Sequence, residues 1–264
     1  MLKQRIITAL ILAPLFLLIV IYGQKLWFAG MVLLIGGVAI FEWLKINQLP
    51  VGLAVFNAII LVVLCAYLMR WLPLSEFYFL LLSLLSWLPA FLWLRCHQWG
   101  YQQTSLQIMV KTLFGVLAIL LFMLSMQQLH HHEMGVFRVL SLVFLIWVAD
   151  IGAYFSGKNF GRHKLAVNIS PGKTWEGVIG AQIAVIIYAV VLALMFNLNM
   201  LRLIPIIMLV ALLSVVGDLT ASLGKRQAKV KDSSKILPGH GGVLDRFDSM
   251  IIAAPVYLIL LSVL

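Results

Sequence analysis

Acidic residues are what this chain has least of: nine Asp/Glu in 264 residues, against 19 Lys/Arg and a formal net charge of +10. Charged residues make up 11% of the chain, 63% of it is hydrophobic, and mean hydropathy is +1.08. That balance excludes a soluble domain, because a soluble core of this size could not hide so much apolar side chain. Two cysteines, Cys65 in an apolar run and Cys96 in a polar break, are too few and too differently placed for a disulfide framework or a thiolate metal set. Soluble linkers and repeats are not evident, so one domain over 1–264 is expected. No small-residue cleavage site precedes Gln24 and Lys25, and the basic, apolar start therefore reads as a retained first span.

What the chain does have is one apolar run after another, each near the ~20 residues that a spanning helix needs. The expected fold is all-α, a polytopic integral membrane protein with about nine transmembrane helices. The runs are Ile6–Tyr22, Leu26–Leu44, Leu53–Leu72, Phe77–Leu94, Ile108–Met126, Val136–Phe155, Val178–Phe196, Leu201–Val216 and Met250–Leu264. Pro14, Pro73, Pro89, Pro205 and Pro255 are expected to end or kink helices. With the N-terminus in the cytoplasm, 15 basic residues fall on the cytoplasmic side, and only Lys25, Arg70, Arg138 and Arg202 on the other. That asymmetry obeys the positive-inside rule. It puts two polar segments, Gly157–Gly177 and Gly217–Ser249, on the same cytoplasmic face, with seven of the nine acids and only Glu76 and Glu133 opposite.

The second segment, GDLTASLGKRQAKVKDSSKILPGHGGVLDRFDS, holds six of the basic residues and four acids. A loop that only fixes topology would account for its lysines but not for its glycines, proline and acids. Asp245 and Asp248 are three apart, so in a helix from Leu244 onward both carboxylates share one face, a spacing suited to a divalent cation. Asp218, at the end of the preceding span, completes the set Asp218, Asp245 and Asp248 if the two helix ends pack together. Oxygen-only ligands favour Mg²⁺, with a second metal ion left open. Pro238–Gly242 (Pro-Gly-His-Gly-Gly) can fold tightly against a phosphate, since glycine accepts positive φ, and Lys225, Arg226 and Arg246 supply neutralising charge. Acids for a metal and cations for phosphates at a membrane surface point to phosphoryl or nucleotidyl transfer on a lipid headgroup.

Three other places carry chemistry. Ser170–Gly177 (SPGKTWEG) contains the Gly-Lys-Thr that ends a Walker A loop, but the glycine required five positions before Gly172 is Val167 and no strand is expected ahead of it. Ser170, Gly172, Lys173 and Thr174 still offer backbone, a cation and a hydroxyl just before a helix, which suits an anion. The alternative is an ordinary helix start with Pro171 in its first turn. Asp150, inside an apolar run, is costly in a membrane and reads as an ion ligand, a relay or a solvated interface residue. His130, His131 and His132 with Glu133 resemble a metal cluster in composition alone; adjacent side chains rarely converge on one ion, and a polar turn is expected.

The residues resemble a known family, the phosphatidate cytidylyltransferases or CDP-diglyceride synthases. Ser222, Lys225, Arg226, Lys231, Asp232, Ser233, Pro238, Gly239, His240, Gly241, Gly242, Asp245, Arg246 and Asp248 fill its signature S-x-x-K-R-x4-K-D-S-x4-P-G-H-G-G-x-x-D-R-x-D. The resemblance extends to Asp150–Phe155 and Ser170–Gly177, and weakly to Glu42 and Trp43. It implies transfer of the cytidylyl group of CTP to phosphatidate, giving CDP-diacylglycerol and pyrophosphate, at the cytoplasmic face of a bacterial inner membrane. Residues 1–135 would be N-terminal helices and 136–264 the catalytic part. It further implies Asp218, Lys225, Arg226, Asp245, Arg246 and Asp248 as the catalytic set. Substrate would be held by Asp150, Ser170, Lys173, Thr174, Ser222, Lys231, Asp232, His240, Gly241 and Gly242. A homodimer is implied and no nucleic acid partner.

The chain departs from the family pattern twice: Ala221 stands where a glutamate is usual, and Gly224 where a large apolar residue precedes the Lys-Arg pair. The first departure leaves a weakly active or degenerate member open. A CTP-dependent lipid kinase of the dolichol or phytol kinase type is the nearest alternative. The D-x-x-D-G-x-x-A-R pattern of CDP-alcohol phosphotransferases is absent. A transporter could use Asp150 as a relay but would not require the Pro-Gly-His-Gly-Gly run.

Overall fold

A computed structural model describes the backbone of residues 2–71 and 76–261, and the side chains of 8, 10–71, 83 and 86–261. The expected helix break at Pro73 and the ends of the third and ninth runs (72 and 262–264) lie outside the described residues, as do the side chains of Lys3, Arg5 and Glu76.

The helices follow the apolar runs closely. They are α1 (Leu2–Tyr22), α2 (Lys25–Ile46), α3 (Val51–Trp71), α4 (Glu76–Arg95), α5 (Ser105–His131), α6 (Gly135–Phe160), α7 (Trp175–Phe196), α8 (Met200–Gln227) and α9 (Leu244–Leu261). Among the described residues, α2, α3, α5, α6, α7 and α8 are long and apolar enough to cross a membrane. The chain is an all-α polytopic membrane protein. Pro14, Pro89, Pro205 and Pro255 all lie inside helices and none ends its helix. Between packed neighbours, a membrane helix re-satisfies the carbonyl that proline leaves unbonded.

Lipid tails are as apolar as leucine, so helices in a bilayer associate through close packing rather than through apolar burial. The α6–α7 pair shows this. A Cβ on Gly152 would sit 2.7 Å from the Ala184 methyl and 2.9 Å from the Gly180 carbonyl, and one on Gly177 would sit 3.0 Å from the Ala153 carbonyl. Along α7 the buried stripe is Gly177, Ala181, Val185 and Ala189, at a four-residue spacing. Ile179, Ile183, Ile187 and Val191 point outward with the same spacing, which is the pattern of a helix with one packed and one lipid-facing side.

The polar connections gather at one end of the bundle. Trp43 of α2 donates its indole N–H to the Lys111 carbonyl of α5 at 3.0 Å, and Lys111 Nζ, itself buried, donates to the Gly100 carbonyl at 3.2 Å. Gln227, the last residue of α8, donates to the His97 and Trp99 carbonyls at 3.1 and 2.8 Å. The loop at 96–104 is thereby tied to the ends of α5 and α8. The two polar segments also meet there, since Arg226 Nε donates to the Ile169 carbonyl at 3.3 Å.

Two local expectations change. Ser170–Thr174 is a strand, β2, paired antiparallel with β1 (Lys164–Ala166), so Pro171 lies in a strand and not in a helical first turn. A short strand does precede the motif, in a two-stranded hairpin rather than the strand–loop–helix of a P-loop. The polar island is also less of a loop than its composition suggests: α8 continues past Val216 to Gln227 and carries Asp218, Ser222, Lys225 and Arg226 as helical side chains.

Candidate active site

Thr174 places the first part of the site. Its side chain caps α7, accepting from the Gly177 N–H at 3.1 Å, while Trp175 N–H donates to the His163 carbonyl at 2.9 Å. Glu176 accepts from the His163 backbone N–H at 3.1 Å and contacts its Nδ1 at 2.7 Å, which closes the hairpin. Lys173 is thereby held over α8, where its Nζ lies 2.5 Å from Asp218 Oδ2. Ser222, one turn on, donates to Asp218 Oδ1 at 3.3 Å.

Asp150, Lys173 and Thr174 line a cavity of about 210 Å³ between α6, α7 and α8, with Ser214 and Ser249. Apart from Tyr154, its other walls are small and apolar, among them Ala149, Ala153, Val178, Ala181 and Val215. One cavity thus offers a charged end and an apolar flank. Lys173 and Asp218 are near enough for their charges to be felt at both Asp150 and Asp248.

The second part rests on the close approach of α8 and α9, where a Cβ at Gly217 would sit 2.6 Å from the Asp248 carbonyl. α9 begins at Leu244, so Asp245 and Asp248 do share a face one turn apart, and both are turned towards Lys225 of α8. Lys225 Nζ is 2.6 Å from Asp245 Oδ1 and 3.9 Å from Asp248 Oδ2, and all three side chains are largely buried. Asp245 Oδ2 also accepts from the Ser233 N–H, the Ser233 hydroxyl and the Gly242 N–H, at 2.9, 3.0 and 2.9 Å.

The glycine run makes these bonds possible. Leu237 to His240 is a turn closed by His240 N–H on the Leu237 carbonyl at 2.9 Å, with Pro238 at its second position and Gly239 at φ 76°. Gly241 has φ 81°, and a Cβ there would meet Asp245 Oδ2 at 2.7 Å. The run folds tightly as expected, but the N–H groups of Gly242, Val243 and Leu244 point inward onto carboxylates. His240 is half-buried beside them.

Not every candidate joins the cluster. Lys231, Asp232 and Arg246 are exposed, and among the described residues none of them forms an ion pair. Arg226 ties the island to the hairpin through backbone carbonyls. Ser170 lies at the far end of β2, opposite Ala166. His130 is buried and stacks on Phe28, with ring centroids 3.9 Å apart, and His131 sits in the last turn of α5. Among the described residues no three His, Cys, Asp or Glu side chains are gathered closely enough to hold an ion by themselves.

The two departures from the family pattern are both packed positions. Ala221 is buried and borders a space of about 30 Å³ shared with Trp43, Phe114, Leu244 and Asp248. At Gly224 a Cβ would meet the Trp43 ring at 2.8 Å, so the indole occupies the room that a larger residue would need.

The residue that sequence reasoning undervalued is Glu42, near the end of α2 and fully buried. Its Oε1 accepts from Ser234 Oγ at 2.5 Å and Val243 N–H at 3.0 Å; its Oε2 accepts from Ser233 Oγ at 2.9 Å and Leu244 N–H at 2.8 Å. The available signal was an acid inside an otherwise apolar run.

Fold and site together define a membrane-embedded enzyme whose acids and cations face one another at one end of a helix bundle. Residues 3–264 match the cytidylyltransferase family. The chain is 36% identical over 271 residues to the phosphatidate cytidylyltransferase of Pseudomonas aeruginosa, covering 99% of this chain and 97% of that one. It is 34% identical to the enzymes of the same name from Haemophilus influenzae, over 97% of each chain, and Bacillus subtilis, over 98% of this chain and 97% of that one. The chain belongs to the cytidylyltransferase family.

Proposed function

We propose that this protein transfers the cytidylyl group of CTP to phosphatidate, releasing pyrophosphate and leaving CDP-diacylglycerol in the membrane. The observation that carries the reading is the Lys173–Asp218 and Lys225–Asp245–Asp248 constellation beside a cavity with one charged end and one apolar flank. A phosphorylated lipid is the acceptor such a cavity suits, its headgroup at Lys173 and its glyceride part along Ala149, Ala153 and Val178.

An oxygen of the lipid phosphate attacks the α-phosphorus of CTP. The bond from that phosphorus to the bridging oxygen breaks, and its electron pair leaves with pyrophosphate. A phosphate monoester has its second pKa near 6, so the attacking oxygen needs no strong base. Positioning and charge neutralisation are sufficient. Lys173 and Lys225 would meet phosphate charge, and Arg226, Arg246 and Lys231 belong to the same polar island as Lys225. Asp150 and the Thr174 hydroxyl border the acceptor.

The donor set fits Mg²⁺, which usually binds through one or two carboxylates plus substrate phosphates and keeps several waters. Asp218, within α8, and Asp248, in the second turn of α9, carry the less engaged oxygens for it. Asp245, the third acid expected at the metal, already accepts from four donors and adjoins the site by aiming Lys225. A bound Mg²⁺ would neutralise charge developing on the transferred phosphoryl group. The 15 to 4 division of basic residues supports a site open to the cytoplasm, where CTP is available, and the bacterial relatives support the inner membrane.

Purified protein given CTP, Mg²⁺ and phosphatidate should release pyrophosphate and form CDP-diacylglycerol in equal amounts. Release of CDP with a phosphorylated lipid would refute this reading in favour of a lipid kinase. Asp218→Asn and Asp248→Asn should each raise the Mg²⁺ needed for half-maximal rate, and unchanged titrations in both would refute the metal assignment.

A further inference from the structure

Glu42 is separated by 191 to 202 positions from the four groups that bind it, and it lies outside both polar segments. No lysine or arginine pairs with it among the described residues. Its charge is met by two hydroxyls and by the N–H groups that open α9, where a helix favours an anion. Val243 N–H reaches one carboxylate oxygen and Leu244 N–H the other, so both oxygens must be acceptors. An amide cannot satisfy this arrangement, because its NH₂ would face a backbone N–H that cannot turn away.

The bonds run on into the site. The Ser233 hydroxyl has one proton and lies 2.9 Å from Glu42 Oε2 and 3.0 Å from Asp245 Oδ2, a three-centre bridge between two carboxylates. Asp245 then holds Lys225, which faces Asp248. A Cβ at Gly242 would collide with Ser233 Oγ and come within 2.6 Å of both Glu42 oxygens, so the loop is shaped around this carboxylate.

We propose that Glu42 is a positioning residue of the reaction: its carboxylate clamps the 233–244 loop and the start of α9, and through Ser233 and Asp245 it sets the position of Lys225. The kinetic part of this proposal rests on the cytidylyltransferase reading; the clamp itself does not.

The test compares Glu42→Gln, which keeps size and shape, with Glu42→Asp, which keeps two acceptor oxygens. Loss of a group that orients the reacting residues typically costs roughly 10- to 100-fold. Glu42→Gln should lose kcat on that scale with a smaller change in KM for CTP, and Glu42→Asp should recover part of it. In detergent, trypsin should cut Glu42→Gln several times faster after the exposed Lys231 and Lys235. A residue that only fills space would leave kcat, KM and cleavage of the Gln variant at parental values, and that result overturns the proposal. If Glu42→Gln does not fold, the double variant Ser233→Ala, Ser234→Ala leaves both backbone bonds on Glu42 and removes the bridge to Asp245. It should turn over roughly tenfold more slowly, on the lower end of the same scale; parental turnover and cleavage there would equally overturn the proposal. A parent protein that makes no CDP-diacylglycerol would refute the activity, while the trypsin comparison would still decide the clamp.

Discussion

Lys173 on the β-hairpin reaches Asp218 on α8 with its Nζ 2.5 Å from Oδ2, and this contact joins two segments that are 45 positions apart in the chain. Both side chains keep about a quarter of their surface in solvent, 26% and 29%. A pair so exposed contributes only about 0–1 kcal/mol to stability. Its placement at the cavity that also holds Asp150 gives it a different use. Lys173→Ala is expected to leave the melting temperature within a few degrees of the parent and to lower turnover at least tenfold, in line with the loss of a positioned phosphate donor. Parallel melting and pyrophosphate-release measurements check this.

Lys225 has the opposite balance. Its side chain is 9% exposed and faces two carboxylates that are 6% and 12% exposed. Lys225→Met leaves both acids without a cation, and removing one partner from a buried pair typically costs about 3–5 kcal/mol. The expected outcome is loss of folded protein in detergent, read as the monodisperse fraction by size-exclusion chromatography. Lys225→Arg keeps the charge and should recover the fold, with reduced turnover because the guanidinium is planar and larger.

Orientation can be read with thiols. Cys96 is exposed at the site end of the bundle and Cys65 is buried. In a Cys96→Ser background, Asn168→Cys and Lys235→Cys are expected to react with a membrane-impermeant maleimide in inverted vesicles and not in intact cells. Labelling of either from the outer side contradicts a cytoplasmic site.

Ala221→Glu places a carboxylate in a space of about 30 Å³ beside Asp248 and among Phe114, Leu244 and Ile251. That is room for about one water. Overfilling a packed site costs about 1–3 kcal/mol, and an unpaired buried carboxylate costs more. A fall in melting temperature is expected with no gain in Mg²⁺ affinity. A lower half-maximal Mg²⁺ concentration at unchanged stability would instead mean that the chain tolerates, and works better with, the acid its family usually carries.

The helices were legible because a bilayer imposes length and apolarity on each one separately, so α2, α3 and α7 could be read from local composition alone. The same holds for Asp245 and Asp248, whose shared face follows from helical spacing once Leu244 begins a helix. Even the meeting of α8 and α9 was prepared locally, by the absence of a side chain at Gly217.

What the tertiary structure decided is which groups those residues answer to. Nothing in the local sequence indicates that the N–H groups of Val243 and Leu244 would turn onto Glu42, or that Trp43 would fill the space beside Gly224. Nor does it indicate that β2 would carry Lys173 across to Asp218. Each depends on partners 45 to 202 positions away, brought together by helix packing. The physical reason is that a buried donor or acceptor must find a partner somewhere, and the sequence states that need without naming the partner. Glu42 is the clearest case: its acidity in an apolar run marked it as costly, and only the folded chain shows that two hydroxyls and the first N–H groups of α9 hold it.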